Sequence, residues 1–535
     1  MARQGTESWQ LCVEVLTPLH VGSGFTLLRD NDFVLREGVP FVVDLNRTLS
    51  ELASGDTDLT AVVGPGARLT DLVRVCGEDY GYPLPLFGGI DADKVRGTTE
   101  VRGHLKDAFF RPCLPGSSLK GAIRTAILAT AVKQAGANVQ TLLPGPEHTK
   151  AQFAAQGLTE GVFSPGAPRG KTPNRDVLRA LHIGDALFDV GELQLVDVRW
   201  MNLRANGWGW REMGGAKRTL DSWREANGLV SEALPPGVQA SFALQVDRFL
   251  TSDPLARRTL GWETAAVGIL SALTSFTSLR DLLNAYARRR LGAELSFFEV
   301  HGVGGAAAEC KRLLAEMAST PEAAFVRVGW GNGWAGMTGD WMDAATVQRM
   351  RAQYRNLGKT GVPTFPKTRR LVVRGSEPCL PLGWVRLHTP EKSRKRTEAL
   401  RAQAGERRAV ELRQREDEER RAEERRAVER RQREEEVGRE EALTRAAAAE
   451  AALLPEDRML RELKTLIDRA SPDDKKPGGP LASALNLALQ GAADWPADQR
   501  HALADLAEAI WNVIGWGKAE KKTDKQSRLA KLRES

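Results

Sequence analysis

Pro115-Gly116-Ser117-Ser118-Leu119-Lys120-Gly121-Ala122-Ile123-Arg124-Thr125 joins a tight turn of small residues to a helical run whose apolar part extends from Ala122 to Val132. Lys120 and Arg124 stand four residues apart, which sets both cations on one helix face. The first turn of a helix presents unpaired N–H groups and the positive end of the dipole, so an anion is favoured there. The order G-x-x-x-x-G-K-[ST] of a nucleoside triphosphate loop is missing, and a nucleic-acid backbone fits the stretch better. Gly116, Ser117, Ser118, Lys120 and Arg124 are therefore candidate nucleic-acid-binding residues. The alternative is an ordinary capped helix with solvated cations.

Around this stretch the pattern mixes strands and helices. Trp9–Leu16 alternates as a strand, Thr17-Pro18 ends it, and His20-Val21-Gly22-Ser23-Gly24 follows as a glycine loop whose backbone can approach phosphate closely. Phe33–Leu35 and Phe41–Val43 flank Arg36-Glu37-Gly38, a hairpin signal, and 44–52 reads as a helix. This order suits an α+β sandwich of the ferredoxin-like kind. Residues 141–175 are rich in Gly and Pro and read as an insertion or long loop. Further strands are expected at 181–183, 193–198, 241–246, 325–328 and 384–387, with helices at 264–274 and 279–291. The second of these helices closes on Arg288-Arg289-Arg290, a favourable charge for a C-terminus.

Length and charge narrow the classes. At 535 residues the chain exceeds a single core, and its net charge of +7 permits nucleic-acid binding without demanding it. The five cysteines include no C-x-x-C pair, which points to reduced thiols in a cytoplasmic protein and to no metal knuckle. No signal peptide and no membrane span are expected. Composition changes after Pro390. Residues 391–450 carry 18 Lys/Arg against 17 Asp/Glu, with Glu411/Arg415 and Glu416/Arg420 among pairs at four-residue spacing. That pattern favours an exposed helix about 90 Å long if straight, or a linker. Residues 451–535 return to amphipathic stripes and predict a small all-α domain with a basic, frayed end.

Three more motifs can carry chemistry. Gly329-Trp330-Gly331-Asn332-Gly333-Trp334-Ala335-Gly336-Met337-Thr338-Gly339 interleaves glycines with indoles, so Gly331, Asn332, Gly333 and Trp334 are candidate RNA contacts. Phe365-Pro366-Lys367-Thr368-Arg369-Arg370 supplies Lys367, Arg369 and Arg370 to a phosphate track. Asp30 and Asp32 can bind Mg²⁺ or simply form a turn, and His20 or His182 can act as a general base on a 2′-OH. No spacing fixes a partner for either pair, so no catalytic or metal set is assigned and no cofactor is expected.

Together these motifs resemble the RAMP superfamily of CRISPR effector proteins, and within it the type III-A group that caps the crRNA 3′ end, the fifth Csm-series subunit. The residues that carry the resemblance include Leu16–Gly24, Val43-Asp44-Leu45-Asn46, Leu114–Thr125 and Ala233-Leu234-Pro235-Pro236-Gly237. Gly329–Gly339, Phe365–Arg369 and Pro381-Leu382-Gly383-Trp384-Val385 complete them, so the resemblance spans about residues 8–390. It implies two RRM-like (ferredoxin-fold) domains, taken as 1–235 and 236–390. It also implies glycine-rich loops holding crRNA, with His20, Gly22, Ser23 and Gly24 in the first of them. The implied partners are crRNA, target RNA and other type III subunits, with this subunit non-catalytic at the end of the backbone filament. Two other functions compete: a RAMP-fold endoribonuclease, and a scaffold that recruits nucleases through 391–535, a region with no counterpart in the resemblance.

Overall fold

The computed structural model describes residues 5–54, 68–76, 80–134, 154–165, 173–213, 218–263, 267–354, 365–391, scattered residues between 420 and 449, and 452–534. The chain divides into two compact units, Met1–Arg401 and Ala402–Ser535.

The strands of the first unit are β1 (Thr6–Val15), β2 (Gly22–Leu28), β3 (Phe33–Arg36), β4 (Val39–Val43), β5 (Gly81–Pro83), β6 (Glu100–His104), β7 (Cys113–Leu114), β8 (Leu181–Ile183) and β9 (Ala186–Leu187). They continue as β10 (Gln194–Leu203), β11 (Trp208–Arg211), β12 (Thr219–Leu220), β13 (Leu229–Ala233), β14 (Gln239–Asp247), β15 (Ala324–Arg327), β16 (Thr368–Arg374), β17 (Glu377–Pro381) and β18 (Trp384–His388). Its principal helices are α1 (Gly116–Gln134), α2 (Phe276–Val300) and α3 (Gly304–Ser319).

One sheet runs β15-β18-β1-β14-β8, antiparallel throughout. Taken in chain order, β1-α1-β8-β14-α2-β18 is a βαββαβ unit with strand order 4-1-3-2, the ferredoxin-like arrangement. The reason is the apolar stripe of α1. Leu119, Ile123 and Ile127 are enclosed with Leu11, Val13 and Val15 of β1, Leu244 and Val246 of β14, and Val385 of β18. Helix α2 serves two cores: Leu279 and Leu283 enter that cluster, while Leu291 and Phe298 pack with Cys310, Leu313 and Met317 of α3.

The expected boundary at 235/236 does not separate two sheets. β1 lies between β14 and β18, so strands from both sides of that boundary share one sheet. A second sheet, β12-β11-β10-β13-β6-β2, with β16 and β17 attached through β10, likewise draws on both halves. β10 pairs with β13 and β11, and also with β16 in the register Trp200↔Arg370.

Several local expectations are corrected. Gly22-Ser23-Gly24 begins the edge strand β2 instead of forming a loop, and a bulge between Gly22 and Thr26 absorbs the glycines. Arg288-Arg289-Arg290 lies inside α2, because Leu291 and Phe298 carry its apolar stripe onward. Part of the 141–175 insertion is the helix Gln156–Phe163, with Leu158 and Phe163 in the core, while 141–153 and 166–172 lie outside the described residues. Most of the charged stretch 391–450 also lies outside them, and those that are described from 420 onward are helical and exposed.

The second unit contains α4 (Pro455–Arg469), α5 (Pro480–Gly491), α6 (Ala497–Ile514) and α7 (Ala519–Arg533). Leu463, Leu481, Leu485, Leu503, Ile510 and Leu529 form its core. The basic end is therefore not frayed: Leu529 and Leu532 anchor α7.

Candidate nucleic-acid interface

The helix start at 116 shows how the first motif is used. The backbone N–H of Gly116 donates to the Asp185 carboxylate at 2.7 Å, and a Cβ at Gly116 would sit 2.0 Å from the Ile183 carbonyl oxygen. The anion favoured at this helix end is thus the chain's own Asp185. Ser117 and Ser118 continue the same first turn. Lys120 donates to the Leu181 carbonyl at 2.8 Å. Arg124 pairs with Asp176 at 2.7 Å and lies 3.8 Å from the Phe163 ring centre. In the fold these two cations thus each have an intramolecular partner. Arg124→Ala should cost about 1–2 kcal/mol of stability, from a half-exposed ion pair and a cation–π contact. The salt dependence of RNA binding should stay unchanged. A fall in RNA affinity with intact stability, read by anisotropy and denaturant titration, would reverse that assignment.

The glycine–tryptophan segment closes onto the beginning of the chain. Gly329 adopts φ 75°, and a Cβ there would meet the His20 carbonyl oxygen at 2.6 Å. Trp330 N–H donates to that oxygen at 2.8 Å. Gly331 is buried against Leu382, and Asn332 Nδ2 donates to the Arg327 carbonyl at 3.0 Å. Gly333 opens the short helix Gly333–Thr338, and Trp334 lies edge-on to Phe365 at 5.0 Å. Asn332 and Trp334 thus hold the turn, and Trp330 is what the turn presents.

Trp330 sits edge-to-face with Trp200 at 5.6 Å and with His20 at 5.7 Å. Two guanidiniums approach its ring, Arg370 at 4.6 Å and Arg102 at 5.1 Å. Neither arginine has a carboxylate or other hydrogen-bond partner among the described residues, and Arg370 Nε is buried without one. Burial first, then the neighbouring charges of Arg102 and Arg327, lower the Arg370 pKa. A partly buried cation beside like charges is costly unless an anion joins it.

A second cationic cluster adjoins it. Buried Glu294 is approached by Arg369 at 2.9 Å and by Arg290 and Arg327 at 3.6 Å each. Burial would raise its pKa, but Arg369, Arg327 and Arg290 hold the carboxyl below its ordinary range. Three guanidiniums on one carboxylate leave an excess of positive charge, and the charge of Arg327 reaches Arg370, which raises the local anion potential. Arg369 also lies 3.9 Å from the Phe297 ring centre, so of the run at 365–370 only Arg370 meets Trp330. Lys367 is half-buried, with its carbonyl accepting from Leu203 N–H at 2.9 Å.

Beside Arg102 the edge strand β2 carries Phe25, 77% exposed, and the turn after β6 carries Phe109, 74% exposed. Thr26 stands opposite Arg102 in the register. Ser23 Oγ donates to the Gly103 carbonyl at 3.0 Å, which ties Gly22-Ser23-Gly24 to β6. Phe109 lies 5.6 Å from the Arg111 guanidinium, which pairs with Asp107, and Phe25 precedes the residue opposite Arg102; exposed aromatics of this kind can stack bases.

This platform rests on a buried polar network. Glu232 accepts from Tyr82 Oη at 2.5 Å and from His104 N–H at 2.7 Å, and pairs with Lys106. His20 Nδ1 donates to the Glu232 carbonyl at 2.6 Å, and His104 Nδ1 accepts from Val21 N–H at 3.2 Å. His20 is fully enclosed, and desolvation brings its pKa down to about 4; His104 is likewise lowered by burial, with His20 and Lys106 adding to it. The His20 side chain is thus enclosed and held neutral within the fold instead of facing solvent. A histidine held neutral in the fold but free to protonate when unfolded leaves stability complete above about pH 6.5. That stability declines as the pH falls toward about 4, by about 3 kcal/mol for His20. Urea midpoints at pH 7.5 and 4.5 should differ accordingly, and equal midpoints would contradict the buried neutral state.

The acidic pair is used locally. Asp32 accepts from Leu28 N–H at 2.8 Å, and Asp30 takes φ 63° in the same turn. Among the described residues no group of three or more His, Cys, Asp or Glu is arranged to hold a metal ion. Arg102, Phe25, Phe109 and Trp330 escaped the residue-level expectations. Only Trp330 belongs to a glycine–tryptophan motif, and Arg102 stands in the short strand β6.

The RAMP superfamily model matches residues 12–305. A CRISPR system protein, Csm5 of Streptococcus thermophilus, is 26% identical over 141 residues, which are 24% of this chain and 39% of that relative, so the chain spans about two fifths of its length. Among solved structures, a chain of a Csm–crRNA–target RNA ternary complex from a type III-A CRISPR–Cas system aligns with TM-score 0.46 and 22% identity, over 71% of this chain and all (100%) of that one. Csm5 of T. onnurineus aligns with TM-score 0.43 and 21% identity, over 70% and 99% of the two chains.

Proposed function

The chain belongs to the RAMP superfamily, and from that premise we propose that it is a non-catalytic, crRNA-binding subunit of a type III-A CRISPR effector complex. In this reading it holds the crRNA near its 3′ end and terminates the backbone filament. Its partners are crRNA, target RNA and the neighbouring type III subunits, in the cytoplasm. The observation that carries the reading is the pair Arg102 and Arg370, both close to the Trp330 ring and without a carboxylate or side-chain hydrogen-bond partner among the described residues. A phosphate of the crRNA backbone would supply the missing anion, and Phe25 and Phe109 would stack its flanking bases.

The ferredoxin-like sheet built on β1 and α1 serves as the first RRM-like module, and we take the sheet of β10 and β16 as the counterpart of the second. The nuclease alternative finds less support, because His20 is enclosed and Asp32 is engaged by its own turn. The separate helical unit lends the scaffold alternative a surface of its own. The test is reconstitution with the other type III-A subunits and a crRNA, followed by mapping which nucleotides crosslink to this subunit. Contacts from the 3′ portion to β2, β6 and the Trp330 turn support the reading.

A further inference from the structure

The second unit presents a basic surface that the proposed crRNA site does not use. Helix α6 ends at Gly515-Trp516-Gly517, where Gly515 and Gly517 take φ 93° and 80° and turn the chain into α7. Lys518 caps α7, and Lys521, Lys522 and Lys525 follow at helical spacings of three, four and seven, which set all of them along one side. A Cβ at Gly517 would lie 3.4 Å from Lys521 Cβ, so the turn and the lysine row are in contact.

The nearby carboxylates are already taken. Arg533 binds Asp505 and Glu508 at 2.7 and 2.8 Å, and Arg528 binds Asp524 at 3.1 Å. Glu520 remains as the exposed acid of the first turn. Lys518, Lys521 and Lys522 are exposed and make no ion pair or side-chain hydrogen bond among the described residues. Lys525 reaches the Gly515 carbonyl at 3.1 Å and lies 5.2 Å from the Trp511 ring centre. Its pKa is lowered by burial and by the charge of Lys521, so the repulsion within the row is unrelieved. Half-buried Trp516 stands 5.6 Å from Trp511, beside the same row.

A row of unneutralised lysines next to a partly open indole suits an extended polyanion that also carries flat rings. We propose that Trp516 with Lys518, Lys521 and Lys522 forms a second binding site, for single-stranded RNA, on the helical unit. The site is sequence-tolerant: the lysines hold phosphates and Trp516 stacks a base. It lies outside the family-matched residues 12–305 and does not depend on the crRNA site.

The experiment measures binding of a fluorescein-labelled 20-nucleotide poly(U) RNA to the full chain by anisotropy across a salt series. Each test variant is examined in the wild-type background and with Arg102→Ala and Arg370→Ala, so the outcome is independent of the first site. Lys518→Glu, Lys521→Glu and Lys522→Glu together should weaken binding about tenfold or more and reduce the salt slope by about 2, at roughly 0.7 per phosphate lost. Trp516→Ala should weaken it about fivefold or more. The circular dichroism melt of the lysine variant should match wild type, while Trp516→Ala, whose indole packs on the helical core, should melt lower and keep its helical spectrum at the assay temperature. Unchanged affinity and slope in both backgrounds would overturn the site, whatever becomes of the Arg102/Arg370 site. Displacement of the RNA by poly-glutamate as readily as by unlabelled RNA would also overturn it and assign the surface to an acidic protein.

Discussion

Arg102→Ala combined with Arg370→Ala should lower retention of crRNA in the assembled complex by about 100-fold or more, alike for all guide sequences. Each guanidinium that meets a phosphate contributes about 1.5–3 kcal/mol as a charge-assisted hydrogen bond. Losing both should also reduce the salt slope by about 1.4 on a single strand. The stability response separates this from a structural effect. Neither arginine has a carboxylate partner, and each stands close to other cations. Their removal relieves repulsion while it forfeits two contacts with Trp330 and one of Arg370 with Trp200, so the unfolding free energy should move by about 1 kcal/mol. A large loss of stability with crRNA retained would make the pair a packing device.

Glu294→Ala should have the opposite signature. The substitution leaves Arg290, Arg327 and Arg369 with no carboxylate at the centre of their cluster. Breaking a buried ion pair from one side costs about 3–5 kcal/mol, because the remaining charge stays desolvated. Urea denaturation of the full chain should show that loss in the transition of the unit Met1–Arg401. Adding Arg369→Leu should recover part of it, since one uncompensated cation is then removed. Stability within about 1 kcal/mol of wild type would show that water reaches the cluster.

The two assemblies illustrate which parts of the molecule were legible in the sequence. Helix α1, the hairpin of β3 and β4 and the helical stripes of the second unit all follow from local periodicity, which the backbone obeys directly. The anion at the start of α1 was legible as a need, yet the residue that meets it, Asp185, is distant in sequence. The interleaving of β1 with β14 and β18 was not legible, because pairing across more than 200 residues leaves no local pattern. The same holds for the interface. Arg102, Arg370 and Trp330 come from β6, β16 and the segment after β15, and only the folded sheets unite them. The sequence pattern around His20 suggests an open glycine loop, because its burial beside Glu232 and His104 depends on the distant strands β13 and β6.

The central claim is that the Trp330 surface holds crRNA near its 3′ end. The most direct measurement places single 4-thiouridines along the crRNA, irradiates the reconstituted complex and identifies the crosslinked peptides of this subunit by mass spectrometry. Nucleotides of the 3′ portion should crosslink to peptides bearing Phe25, Phe109 or Trp330, and those crosslinks should vanish with Arg102→Ala and Arg370→Ala. Crosslinks that arise from the 5′ portion instead, or that bypass these three aromatics in a complex that retains its crRNA, would contradict the account.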